Sequence, residues 1–209
     1  MKQLKPTQEL PENYHQVDQL DLRENQGLGM IINLTGVGLL FGVAWLLVQS
    51  LSFLRPAYVS SENILVITGM REFWRGVLLL AVSLGLMIVL SEGLRWLLFW
   101  LLTGKRPRVG FSGFYTYTSA PEWFISRRNY ILIRVAPLFG ITILGLIAVR
   151  IVPLNLVPGV LLLISLNIAA AVNDLVLVWW ILSKPEDVLI QDCSDSMQIY
   201  HYGSEIQAD

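Results

Sequence analysis

The sequence predicts an all-α polytopic membrane protein of four transmembrane helices, with short cytoplasmic β-hairpins. Three observations predict it. Hydrophobic residues make up 54% of the 209 and charged residues only 15%, where soluble domains carry about 25% charged residues. Mean hydropathy is +0.57, which implies more apolar surface than a soluble fold of this size can hide from water. Four apolar stretches are each long enough to cross a bilayer, for which about 20 helical residues suffice. The same composition excludes several functions. A net charge of −1 gives no footing for nucleic acid. One cysteine allows no internal disulfide framework, and two histidines cannot make an all-histidine metal site of ordinary size.

Residues 1–27 are polar and of mixed charge, read as a cytoplasmic tail without a signal-peptide pattern. The first span, 28–54, holds no charge at all, and its Gly38 and Gly42 form a G-x-x-x-G that can let helices approach closely. Residues 60–72 are expected to form a short interfacial helix on the outer side. The second span, about 74–102, carries Glu92 and Arg95 inside it. Lys105, Arg106 and Arg108 follow as a basic topology signal. Val109 to Tyr117 then reads as a hairpin, from its aromatics, threonine and Ser-Gly turn. The third span, about 130–152, has Arg134 near its start and Pro137, expected to kink it. The turn Pro153-Leu154-Asn155 leads into the fourth span, about 156–182, which contains Asn167, Asn173 and Asp174. Residues 183–209 form the second cytoplasmic tail, with strands expected at Val188–Gln191 and Met197–Tyr202. Spans 28–182 thus make one transmembrane domain between two tails. Trp96, Trp100, Trp179 and Trp180 are placed as interfacial aromatics near helix ends.

Four spans put both tails and the 103–129 loop on one side. That side holds nine lysines and arginines, with five in the one loop, and the other side holds four. The positive-inside rule then places both termini in the cytoplasm.

Charges inside a membrane cost several kcal/mol unless paired or hydrated. Glu92 and Asp174 fall at nearly the same depth, roughly 18 and 15 Å from the cytoplasmic ends of their helices. Arg95 lies three residues after Glu92, on the same helical face. Asn167, Ala171 and Asp174 share a face on the fourth helix. The set reads either as a structural salt bridge pinning helices two and four, or as a catalytic or transport site.

Several pieces, in this order, carry a resemblance: Ser91-Glu92-Gly93-Leu94-Arg95, Gly104-Lys105, Arg127-Arg128-Asn129-Tyr130, Ala136-Pro137 and Asn173-Asp174. Over roughly Trp74 to Asp192 the chain resembles the family described as "putative zincin peptidases", membrane metalloproteases akin to site-2 proteases. The resemblance implies a zinc held by two histidines at i and i+4 of one helix. A glutamate between them acts as general base, and a later acidic residue completes the ligand set. Glu92 then matches the base and Asp174 the late acidic ligand. The histidine positions hold Ser91 and Arg95. Serine is a poor zinc ligand, and an always-protonated guanidinium cannot be one. His15 and His201 both lie outside the spans.

The expectation is therefore a membrane pseudoprotease without a cofactor, the family's zinc having lost its ligands. Its catalytic position would be Glu92, and Arg95, Asp174 and Asn173 would form a buried charge network with Arg95 bridging the two carboxylates. Its partners would be the lipid bilayer and membrane-protein segments or an active relative. Two rivals remain: an active metalloprotease with an unusual metal site, using a partner chain's histidine, and a small transporter or channel subunit.

Overall fold

The structure is a computed structural model, describing residues 6–20, 26–56, 69–112, 115–119, 122–193 and 197–203. Four helices dominate it: α1 (Gln26–Leu54), α2 (Met70–Thr103), α3 (Arg127–Ile151) and α4 (Val157–Leu182). They have 29, 34, 25 and 26 residues, so each is long and apolar enough to cross a membrane. α2 starts at Met70, earlier than the apolar run, and takes in Arg71 and Glu72. Residues 60–68 of the expected interfacial helix lie outside the described residues. α3 runs unbroken through Pro137. A short 3₁₀ turn, Leu154–Leu156, joins α3 to α4 where the proline turn was expected.

Among the described residues, six strands accompany the helices: β1 (Tyr14–Leu20), β2 (Arg108–Ser112), β3 (Tyr115–Ser119), β4 (Phe124–Ser126), β5 (Leu189–Asp192) and β6 (Met197–Tyr202). β2 and β3 form the expected antiparallel hairpin; its turn residues, 113–114, are outside the described ones. β5 and β6 also pair as expected. The fold class needs one correction. Instead of isolated hairpins, β5 and β6 are the centre of a four-stranded antiparallel sheet of order β1-β6-β5-β4. β1 comes from the stretch read as a tail.

The chain forms two compact units, and all four helices contribute residues to both. The first comprises Met1–Ile32, Glu92–Ala136 and Asn173–Asp209. Its core joins Phe99 of α2, Tyr130 and Ile133 of α3, and Leu177 and Ile181 of α4 to Ile125, Val188, Ile190, Met197 and Ile199 of the sheet region. Alternation places Met197 and Ile199 on one face of β6, while Gln198 and Tyr200 are only half-buried. Arg127 donates to the carbonyls of Leu182 (2.9 Å) and Lys184 (2.8 Å), satisfying the C-terminal end of α4.

The second unit comprises Asn33–Ser91 and Pro137–Val172. Leu51, Val149, Val157, Leu161 and Ile164 form its core. Backbones approach closely at Gly36, where a Cβ would stand 3.1 Å from the Ala169 carbonyl oxygen. Gly38 and Gly42, the pair singled out in the sequence, have nothing within 4 Å of their Cβ positions. Asn167 is buried here and donates to the carbonyls of Pro137 (3.3 Å) and Leu138 (3.1 Å). It belongs to a different unit from Asp174.

Candidate functional site

All the charged residues of interest lie in the first unit. α2 supplies Glu92 and Arg95, one turn apart on one face. α4 supplies Asp174, α3 supplies Tyr130 and Arg134, also one turn apart, and β5 supplies Asp192.

Arg95 donates through Nη1 to Glu92 Oε1 and through Nη2 to Asp174 Oδ2. The other oxygen of Asp174, Oδ1, lies 3.3 Å from Arg134 Nη1. Arg134 Nη2 then reaches Asp192 Oδ2 at 2.7 Å, and its Nε donates to the Tyr130 hydroxyl at 2.9 Å. Tyr130 donates its own proton to Asp192 Oδ2 at 2.7 Å, and the Arg134 guanidinium lies 5.1 Å from the Tyr130 ring centroid. Five ionisable groups thus form one chain, carboxylate to guanidinium to carboxylate to guanidinium to carboxylate, with Asp174 at its centre. Their side chains are between 8% and 17% exposed, so attraction between them is only weakly screened. Three carboxylates against two guanidiniums leave one formal negative charge.

Four residues differ from the sequence reading. Asn173 is exposed, because the residue before Asp174 points about 100° away around the helix; it is not part of the network. Arg134, Tyr130 and Asp192 are additional members. A signal for two of them was present: Tyr130 and Arg134 are four residues apart, which places them on one helical face. Asp192 gave none, since an acidic residue near a chain end reads as solvated.

The family motif's zinc can be tested on these side chains. Zinc takes lone pairs from imidazole, thiolate or carboxylate. The position that the resemblance assigns to its second histidine, Arg95, carries a guanidinium, which offers five N–H donors and no acceptor. The position that the resemblance assigns to the first holds Ser91, whose hydroxyl donates to the Ile88 carbonyl of its own helix at 3.1 Å. Among the described residues, no group of three or more His, Cys, Asp or Glu side chains could hold a metal ion. The donor set does not fit zinc. Two buried atoms of the network, Glu92 Oε2 and Arg95 Nε, have no protein partner among the described residues.

Cys193 is the one cysteine of the sequence. Burial, and then the negative charge of Asp192, push its thiol above the ordinary cysteine value, which depletes the reactive thiolate.

A family model described as "Putative zincin peptidase" matches residues 84–189, just over half of the sequence. The chain belongs to this family. No curated protein and no solved structure matches it. Glu92, Arg95, Tyr130, Arg134 and Asp174 all fall within the matched segment, and Asp192 lies three residues past it. This zincin-family chain therefore has no histidine anywhere in the matched segment, both of its histidines being at 15 and 201.

Proposed function

We propose that the chain is an integral membrane protein that keeps a zincin-type framework without its chemistry. It acts by binding or regulating membrane proteins, an active relative of the family among them. One observation carries this reading: Arg95 ion-pairs with both Glu92 and Asp174, the residues matching the family's general base and late acidic ligand. A glutamate acts as base in zincin chemistry when it is free to take a proton from metal-bound water. Paired to a guanidinium, Glu92 has one carboxylate oxygen, Oε1, engaged and a positive charge beside it that resists a second cation. The chain of ion pairs instead ties α2, α4, α3 and β5 together. A partner segment in extended form would be recognised through main-chain hydrogen bonds at the sheet's edge strand β1; the edge of β4 is already bridged by Thr7 at Phe124.

Metal analysis with variants tests the reading. Purified protein is expected to hold no zinc whose retention depends on Glu92, and to leave membrane-peptide substrates uncut. The double substitution Ser91→His with Arg95→His is expected to create zinc binding that Glu92→Gln leaves largely intact and Asp174→Asn weakens. One zinc per wild-type chain, lost on Asp174→Asn and accompanied by chelator-sensitive peptide cleavage, would establish an active metalloprotease instead. Proton or ion flux into liposomes, abolished by Glu92→Gln, would establish a transporter.

A further inference from the structure

We propose that His15 and His201 form a binding site for one divalent transition-metal ion on the four-stranded sheet. The chain has only these two histidines, 186 positions apart in sequence. The fold nevertheless makes them direct cross-strand partners in the β1–β6 pair. Directly opposed residues of an antiparallel pair project from the same face with Cβ atoms about 4.5–5.5 Å apart. Two imidazoles so placed can close on one ion at metal–nitrogen distances of about 2.0–2.1 Å.

A second observation concerns how His201 is held. Its Nε2 lies 3.2 Å from Asp187 Oδ1. Metal-ligating histidines characteristically present their other ring nitrogen to a carboxylate, which fixes the tautomer and makes the ligating nitrogen more basic. With the proton on Nε2, the lone pair is left on Nδ1. That atom would lie 3.8 Å from a Cβ built at Gly203, an ordinary van der Waals separation. The turn carrying Asp187 is itself tied to β1, since the Tyr14 hydroxyl donates to the Asp187 carbonyl at 3.3 Å. His15 is exposed and His201 half-buried, giving an ion and its remaining water ligands access from solvent.

Imidazole nitrogens suit zinc, nickel and copper, with copper(II) the tightest of the three. The site is separate from the ion-pair network in residues and elements. Its consequence is structural. β1 is an edge strand, with a register irregularity between Gln16 and Asp18. An ion shared by His15 and His201 would staple that strand, and the N-terminal residues with it, to the centre of the sheet. Metal supply would thereby control how firmly the N-terminal segment is held.

The test is titration of tag-free, chelator-stripped full-length protein in detergent with nickel(II) and copper(II), read by calorimetry. One ion per chain is expected, with copper tighter than nickel. His15→Gln and His201→Gln should each lower the affinity at least tenfold, and Asp187→Asn by roughly tenfold. His15 is exposed, so its substitution leaves the fold intact and keeps the experiment decisive even if the His201 variant unfolds. Metal should raise the melting temperature of the wild type and leave that of His15→Gln unmoved. Absence of binding, or an affinity unchanged in His15→Gln, would overturn the proposal. Binding lost in Glu92→Gln yet kept in His15→Gln would put the ion at the ion-pair network, overturning this proposal and the non-catalytic reading together. Failure at the sheet alone would leave that reading standing.

Discussion

Arg95 holds two carboxylates from two helices, but the two do not depend on it equally. Asp174 keeps a second cation, Arg134, when Arg95 is removed, whereas Arg95 is the partner that holds Glu92. Stranding a buried charge costs about 3–5 kcal/mol. Arg95→Ala is therefore expected to lower stability strongly in detergent unfolding, and Glu92→Gln should restore more of the loss than Asp174→Asn does. Equal rescue by both, or additive effects with no coupling in the double-mutant cycle, would refute this ordering. Cys193 supplies a second check at this scale. Its thiol is raised by burial and by Asp192, and alkylation requires the thiolate. Its alkylation rate should rise with pH to a midpoint above that of a free cysteine, and Asp192→Asn should bring the midpoint down. How much of this was legible in the sequence depended on locality. Glu92 and Arg95 stand out because a charge inside an apolar helix is costly and the three-residue spacing fixes their shared face. Asp192 did not stand out, because its partners are on a helix about 60 residues away and its surroundings in sequence are polar.

Helices and strands were legible to different degrees for the same reason. An apolar run is a local property, and all four helices fall within a few residues of their runs, α2 excepted at its start. β5 and β6 are neighbours in sequence and read as a pair. β1 is mostly polar, with exposed His15, Gln16 and Val17, and its strand partner β6 lies about 180 residues later in the chain; no local signal could reveal the pairing. Glycine spacing misled in a related way, since G-x-x-x-G marks a face capable of close approach without saying which glycine is used. Here it is Gly36 that meets a backbone oxygen, at 3.1 Å from its would-be Cβ, and Gly145 that meets Ile164, at 2.5 Å. Overpacking of this kind typically costs about 1–3 kcal/mol. Gly36→Ala and Gly145→Ala are expected to lower the melting temperature in detergent. Gly38→Ala and Gly42→Ala, with open space around them, should leave it unchanged or raise it, because alanine is the better helix former. If the second pair destabilises as much as the first, those faces are occupied by another chain.

At the scale of the molecule, the sheet constrains topology in a way that charge counting alone does not. β1 precedes α1, β4 lies between α2 and α3, and β5 and β6 follow α4. Backbone hydrogen bonds join β1 to β6 and β4 to β5, so these three segments must be on the same side of any membrane the helices cross. An even number of crossings separates each segment from the next: two helices between β1 and β4, and two between β4 and β5. That parity is met when both helices of a pair span or neither does, and the length and apolarity of all four favour spanning. One helix of a pair lying flat on the surface would put one strand across the bilayer from its partner. The lysine and arginine distribution, nine against four, predicts which side, and it predicts the cytoplasmic one. The expected result is concrete. In a Cys193→Ser background, a membrane-impermeant maleimide applied to sealed cells should leave Arg106→Cys unlabelled and should label Arg71→Cys. A cysteine replacing the exposed Gln16 of β1 should behave as Arg106→Cys does. Labelling of Arg106→Cys and Gln16→Cys together from outside would invert the orientation while preserving the sheet. Labelling of one without the other would mean that the strands are on opposite sides, and that the sheet and four spanning helices cannot both exist.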